Sequence, residues 1–477
     1  MRGILGLLLA FAPCIAGSAH AAPRAFAPSP APSDEQNVPA FPVIPSANQR
    51  YFVDQNNVPF LIAGDSPQYM ILAISEADAD SYMADRQAIG FNTLWISLVT
   101  GFVNGGTYDG ILPFTVIGDL STPNEAYFAR ADDMLRLAAL HNLLVLLDPL
   151  DSAGWLDVLR SNGLAVARDY GRYLGNRYQT FDNIVWMSGN DFQWWGDPND
   201  DALVQAVALG IKDNDTRHTH TIEMDPPTSG SLDDPAWAPI IALNASYTYV
   251  PTYAQVLYDY NRPNFIPTFM VEANYEFENN TGQELGTPQV LRLQEYRAQL
   301  SGAAGQLYGS GYIWQFAPNW RSYLDTPGAT QFGYFINLFS PRRWYDLVPD
   351  QTHSLVIAGY GTYTDTGTNL ASDYLTAAAT ADGTLALAFM PTLRTITVDM
   401  SRMSGPTTAR WYDPASGTFQ SVAGSPFPNV GTQDFTPIGP NADGNGDWAL
   451  VLETTTDSSF CPWRTTSRTV SPSGTKN

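Results

Sequence analysis

Hydrophobic and polar residues alternate in blocks along this chain rather than residue by residue. PFLIAGD (59–65) is an apolar run ending in Gly-Asp, and SEADADSYMADRQAIG (75–90) after it is polar and helical in character. Ser75 serves as N-cap, Asp78 sits at the third helical position, and Gly90 closes the helix. The same beat recurs. Apolar runs at 91–99, 143–151, 183–191, 218–225, 240–249, 266–276 and 309–316 are separated by helical patterns at 122–142, 163–178, 202–212, 252–260 and 287–303. A last helix is predicted at 327–339. Thr122 with Pro123, and Thr287 with Pro288, mark two of the helix starts.

The strand-like runs are continuously apolar, as in parallel sheets covered on both faces. Eight of them within about 290 residues predict a (β/α)8 barrel over residues 49–344, an α/β architecture. No glycine-rich phosphate loop follows the first run, which speaks against a nucleotide fold. After residue 345 the pattern changes to short strands, such as TLALAFMP and WALVLE, separated by turns such as Asp413-Pro414-Ala415-Ser416-Gly417. This predicts a small all-β sandwich over 345–455. Ser/Thr-rich residues 456–477 read as a disordered tail.

The N-terminus changes the picture of where the protein works. Arg2, the apolar stretch ILGLLLAFAPCIAG and Ala19-His20-Ala21 read as a signal peptide over 1–21, so the expectation is a secreted or periplasmic protein. The apolar stretch is too short for a membrane span. Residues 22–48, rich in Pro, Ala and Ser, read as a linker. Cleavage would leave Cys461 as the sole cysteine, hence no internal disulfide. A net charge of −23, with lysine only at Lys212 and Lys476, disfavours nucleic acid and anionic membranes as partners. Aromatics make up 12% of the chain, which suits sugar binding as well as core filling.

Barrel enzymes place their chemistry at the C-terminal ends of the strands. The polar residues there are Asp65, Asp148, Asp151, Asn190, Asp191, Glu223, Asp225, Tyr247, Glu272, Trp314 and Gln315. So many carboxylates at one rim, among Trp and Tyr, suit glycoside hydrolysis, which needs one carboxylic acid and one opposing carboxylate. Asp191 and Glu272 form the sharpest pair, because strands four and seven lie across a barrel from each other. A separation of about 5–5.5 Å would imply retention of anomeric configuration, and about 6.5–9.5 Å inversion. Trp186, Phe192 and Trp194-Trp195 are placed to desolvate the acid. Gly189-Asn190-Asp191 is equally an ordinary turn. A glutamate directly after Phe269-Met270-Val271 would bury a charge at several kcal/mol unless a site uses it. Asp65, Trp95, Asp148, Asn190, Tyr247, Tyr275, Trp314 and Trp320 are the candidate substrate-binding residues. His218, His220 and Glu223 hint at a metal, but ordinary strand histidines explain them, and no cofactor or metal is implied. No nucleophile elbow is present.

Several stretches resemble the apiosidase-like glycoside hydrolase family in order and spacing: PFLIAGDSPQYMI, DSYMADRQAIGFNTLWISLV, NIVWMSGND, FMVEANYE and QLYGSGYIWQF. RRWYDLVPD and ARWYDPASG are similar to the β-sandwich, labelled collagen-binding, that these proteins carry. The resemblance implies a retaining glycosidase of the barrel type acting on apiose-containing or related pectic side chains. By motif it makes Asp191 the acid/base, Glu272 the nucleophile and Asp65 a substrate-contacting carboxylate. The chain departs from the family pattern at Asn190, at THTIEMDPP and at Asn244-Ala245-Ser246-Tyr247. These lie at the sugar-binding rim, so an arabinofuranosidase-like activity on another polysaccharide, or a non-catalytic glycan-binding protein, remains an alternative.

Overall fold

Eight parallel strands form the barrel of the computed structural model, which describes residues 38–101, 106–192 and 197–454. The expected signal peptide, the linker up to residue 37, Trp194-Trp195 and the tail lie outside the described residues. The strands are β1 (Ile62–Asp65), β2 (Thr93–Ser97), β3 (Leu144–Asp148), β4 (Ile184–Phe192), β5 (His220–Met224), β6 (Asn244–Thr248), β7 (Thr268–Glu272) and β8 (Gly305–Tyr308). Their ladder runs β5-β4-β3-β2-β1-β8-β7-β6. A short antiparallel strand, Thr228–Gly230, continues it beside β6. The remaining seam, between β5 and β6, has no regular ladder. Ser231 bridges it: its hydroxyl donates to the Ile222 carbonyl and accepts from the Ala245 amide at 2.8 Å. The Ala242 amide also donates to the His220 carbonyl at 2.9 Å.

Helices cover the outside: α1 (Glu76–Ile89), α2 (Glu125–Leu140), α3 (Ser152–Tyr178), α4 (Pro198–Asn214), α5 (Thr252–Tyr260), α6 (Pro288–Leu300) and α7 (Pro327–Phe339). Ser75 caps α1 by accepting from the Asp78 amide, and Gly90 closes it with φ 113°. Thr287 caps α6 by accepting from the Val290 amide. Three expectations shift. α2 is capped by Asn124, not Thr122. α3 begins at Ser152, well before 163, because Asp151 caps a first segment that continues across a kink at Gly163. The eighth strand is Gly305–Tyr308, while 309–316 folds as turns. Glycines bracket that four-residue strand, so its apolar signal was weaker than that of the following Tyr312-Ile313-Trp314.

Residues 41–48, placed in the linker from composition, are folded. Ile44–Pro45 pairs with Phe52–Val53, which pairs with Pro59–Phe60. Val43, Phe52 and Phe60 join Ile62, Trp95, Leu146, Val185 and Phe269 in the barrel interior, plugging the end opposite the strand C-termini. Beyond residue 346, a six-stranded and a three-stranded antiparallel sheet face each other across a core that includes Val398, Trp411, Phe435 and Leu450. The other face of the larger sheet packs Leu387, Phe389 and Val451 on Tyr296, Phe335 and Phe339 of α6 and α7. Buried Arg292 of α6 ties the two parts together through Asp447 at 2.7 Å and Asp443 at 2.8 Å. The sandwich therefore buttresses the barrel wall behind β7 and β8. No helix among the described residues is long and apolar enough to cross a membrane.

Candidate active site

The strand carrying Asp191 does not stop at Gly-Asn-Asp. β4 pairs with β5 through Ser188, bulges, and pairs again at Phe192. Gly189, Asn190 and Asp191 take φ of 112°, 67° and 54° in succession. A Cβ on Gly189 would stand 2.1 Å from the Glu223 carbonyl oxygen, so only glycine fits there. Asn and Asp tolerate positive φ better than bulkier residues, at a cost of about 1–3 kcal/mol each. The bulge is anchored from below, where the Asp191 amide donates to the Glu223 carboxyl at 3.2 Å. Its effect is to turn Asp191 inward over the barrel mouth.

Glu272 ends β7 beside Tyr247, its register partner on β6. The Tyr247 hydroxyl lies 3.0 Å from Asp191 Oδ1 and 2.9 Å from Glu272 Oε1. Those two carboxylate oxygens are thus no more than about 6 Å apart. The Tyr249 hydroxyl donates to Glu272 Oε1 at 2.7 Å and accepts from Asn280 Nδ2 at 2.8 Å. Both carboxyls line a cavity of about 460 Å³ with Gln68, Tyr69, Tyr275 and Trp314 on its walls. Gln68 links Tyr275 to Asn190, and the Trp314 indole donates to Glu278 at 2.7 Å. Tyr275 lies flat against the chain after β8, where a Cβ on Gly309 would meet its ring at 2.3 Å.

Burial pushes the Asp191 carboxyl up to about 6; the Tyr247 hydroxyl opposes this, and the charges of Asp225 and Asp151 add to it. Burial also raises Glu272, the Asp191 charge adds, and the hydroxyls of Tyr249, Tyr275 and Tyr247 pull it back. Below them Glu223 is fully buried and its carboxyl is held well above the usual range, by burial first and then by Glu272 and Asp191. Buried acids this close do not all ionise together.

Residues 46–346, more than half of the chain, match the family model described as "Apiosidase-like, catalytic domain". The chain belongs to the apiosidase-like family. It is a glycoside hydrolase. Residues 363–453 match the model described as "Putative collagen-binding domain of a collagenase". A solved structure named glycoside hydrolase is similar with TM-score 0.76 and 21% identity, covering 87% of this chain and 97% of its own. A family 5 glycoside hydrolase from Bacteroides vulgatus gives TM-score 0.75 and 20% identity, covering 86% and 93%. No curated protein matches.

Within this apiosidase-like fold, Asn190, Asp191, Tyr247, Glu272, Tyr275 and Trp314 meet at one cavity, Trp314 reaching it from the turns after β8 rather than from a strand end. Four expected substrate contacts do not. Trp95 is wholly buried in the barrel interior below the site. Trp320 packs edge-on against Phe316 and Tyr82 in the outer core. Asp148 is buried beneath Asp151, with its carboxyl raised well above the usual range by burial. Asp65 is fully buried and ion-paired with buried Arg86 at 2.7 Å, so it is a structural carboxylate rather than a rim one. Burial pushes its carboxyl up, while Arg86, Tyr82 and the Ser66 amide pull it down. Replacing Arg86 by leucine strands that acid, and thermal melting should report a loss of about 3–5 kcal/mol. A shift in melting of under one degree would count against this role.

His218 and His220 do not form a metal centre. His218 bonds Asp215 at 2.6 Å, and His220 is buried over Trp186, with burial lowering its pKa to about 3. Among the described residues no group of three or more His, Cys, Asp or Glu is placed to hold a metal ion. Gln68, Tyr69, Tyr249, Glu278 and Asn280 line the cavity and were missed. Tyr249 had a signal, since Tyr247-Thr248-Tyr249 puts both rings on one strand face. The others come from loops, which carry no periodicity.

Proposed function

We propose that this chain is a retaining glycosidase that cleaves apiose-containing or related furanosidic linkages in plant pectic polysaccharides, and that it acts outside the cytoplasm after removal of residues 1–21. The observation that carries the mechanism is the pair of carboxylate oxygens gathered on one tyrosine hydroxyl, within about 6 Å of each other. That bound lies below the roughly 6.5–9.5 Å that accommodates an intervening water, which supports double displacement.

In this reading Asp191 carries the proton and Glu272 the charge. Glu272 has three tyrosine hydroxyls to stabilise a carboxylate, whereas Asp191 has one. Burial and the Asp191 charge still raise Glu272 to about 8, above Asp191 at about 6, so the productive form is the one in which the pair's proton has moved to Asp191. Asp191 protonates the leaving oxygen as Glu272 attacks the anomeric carbon to form a glycosyl ester. Asp191, now ionised, takes a proton from water, whose oxygen displaces Glu272. Tyr275 and Trp314 offer apolar faces to the sugar, and Asn190 and Gln68 offer polar contacts.

The test is the configuration of the first product. Proton NMR during early turnover of a pectic or aryl furanoside should show the anomer of the substrate before mutarotation. First appearance of the opposite anomer overturns the double-displacement assignment.

A further inference from the structure

The connection from β7 to α6, residues 273–287, contains a loop closed at its neck by two backbone bonds. The Phe277 amide donates to the Gly286 carbonyl at 2.9 Å, and the Gly286 amide donates to the Glu278 carbonyl at 2.7 Å. A Cβ on Gly286 would stand 1.8 Å from the Tyr275 carbonyl oxygen, so only glycine allows so close a crossing. Beyond the neck the loop reaches two ways. One limb carries Asn280, which borders the active-site cavity. The other carries Glu284, which is buried against the C-terminal sandwich. Its carboxylate accepts from the Asn369 amide at 2.9 Å, from Asn369 Nδ2 at 3.1 Å and from the Leu370 amide at 2.8 Å.

The sandwich segment that holds Glu284 is itself tied to the barrel. Buried Arg297 of α6 donates to the carbonyls of Asn369 and Ser372, at 2.9 and 2.7 Å. The Tyr253 hydroxyl of α5 donates to the Thr364 carbonyl at 2.7 Å. On the cavity side, Asn280 Nδ2 donates to the Tyr249 hydroxyl, which donates its one proton to Glu272 Oε1. A hydroxyl that accepts one bond gives a stronger one, so Asn280 strengthens the support that Tyr249 offers to an ionised Glu272. Asp191, Glu223, Tyr247 and Tyr275 also face that carboxyl.

We propose that Glu284 is a positioning residue, through which the C-terminal sandwich holds the β7–α6 loop so that Asn280 stays on Tyr249 and Tyr249 on Glu272. This rests on the nucleophile role given above to Glu272. The sandwich then serves the chemistry of the barrel as well as its stability.

The test compares the full-length wild type, Glu284→Gln, Asn280→Ala and the double variant on 4-nitrophenyl arabinofuranoside and apiofuranoside. Glu284→Gln keeps the size of the side chain but turns an amide NH₂ toward a backbone N–H, which opens the clasp. Asn280 is exposed, so Asn280→Ala disturbs little packing. With a nitrophenyl leaving group the first step needs only an ionised Glu272, so kcat/KM rises with pH as that carboxyl loses its proton. Each single variant should move this limb to higher pH by roughly half a unit, about a threefold loss of rate below it. The double variant should do no more than either one, because both break the same relay. Direct loss of the Glu284 charge would ease ionisation of Glu272 and move the limb the other way. A limb that stays in place or moves down in Glu284→Gln, or shifts that add in the double variant, would overturn the proposal. Hydrogen exchange followed by mass spectrometry should also quicken across 277–286 in Glu284→Gln, with the barrel strands unchanged. If the wild type cleaves neither donor, the furanoside reading fails and this exchange decides the clasp: faster exchange upholds it, and unchanged exchange overturns it.

Discussion

Glu272→Gln is expected to lower kcat/KM by roughly five orders of magnitude, equivalent to ~7 kcal/mol of transition-state stabilisation. The amide keeps the shape of the side chain and can still accept from Tyr247 and Tyr249, but it cannot form a glycosyl ester. Folding should be spared. Burial raises Glu272, so the wild-type charge is itself a strain on the native state, and a neutral amide relieves it. Melting temperature should therefore stay level or rise while activity is lost. A companion variant, Glu272→Ala, should regain turnover with azide and release a glycosyl azide of inverted configuration, because the small anion enters from the face that the carboxylate vacated. Activity of Glu272→Gln within tenfold of wild type, with no azide rescue of the alanine variant, would remove Glu272 from the nucleophile role.

Asp191→Asn should cost about 10²–10⁴-fold with a sugar leaving group, the usual worth of a positioned general acid. With a nitrophenyl leaving group, which departs without protonation, the first step should be nearly unaffected and the ester should accumulate. The pH profile follows from the raised carboxyl. The acid works only while protonated and the nucleophile only while ionised, and burial raises both carboxyls. For a glycan, kcat/KM should therefore be bell-shaped in pH, with limbs that belong to the coupled pair and an alkaline limb set by loss of the pair's last proton. Asp191→Asn should flatten that alkaline limb. A variant that keeps the limb and the glycan activity would show that another group supplies the proton.

The carboxylates at strand ends illustrate how far sequence reasoning reaches. Continuous apolar runs identified seven of the eight barrel strands because a strand covered on both faces tolerates few polar residues. Those runs also located Asp191 and Glu272, since a polar residue directly after such a run sits at the barrel mouth. The same rule put Asp65 and Asp148 there, and it misled. Being at a strand end does not say whether a side chain points to the cleft or to a neighbouring helix, and Arg86 from α1 claims Asp65. Trp95 failed for a related reason. It lies within β2 rather than beyond it, so the barrel interior takes it up.

Local sequence, then, determined the alternation of elements, most helix caps and the pair of carboxyls, because hydrophobic period and capping chemistry act over a few residues. Tertiary structure alone decided how those carboxyls are used. The bulge at Gly189–Asp191 depends on the β5 backbone beside it, and the approach of the two carboxyls to within about 6 Å depends on Tyr247 from β6. The burial that raises Asp191 comes from packing around the barrel mouth, and the loop residues Gln68, Glu278 and Asn280 reach the cavity only once the barrel closes. Distance and desolvation are properties of groups far apart in the chain, and no short window of sequence contains them.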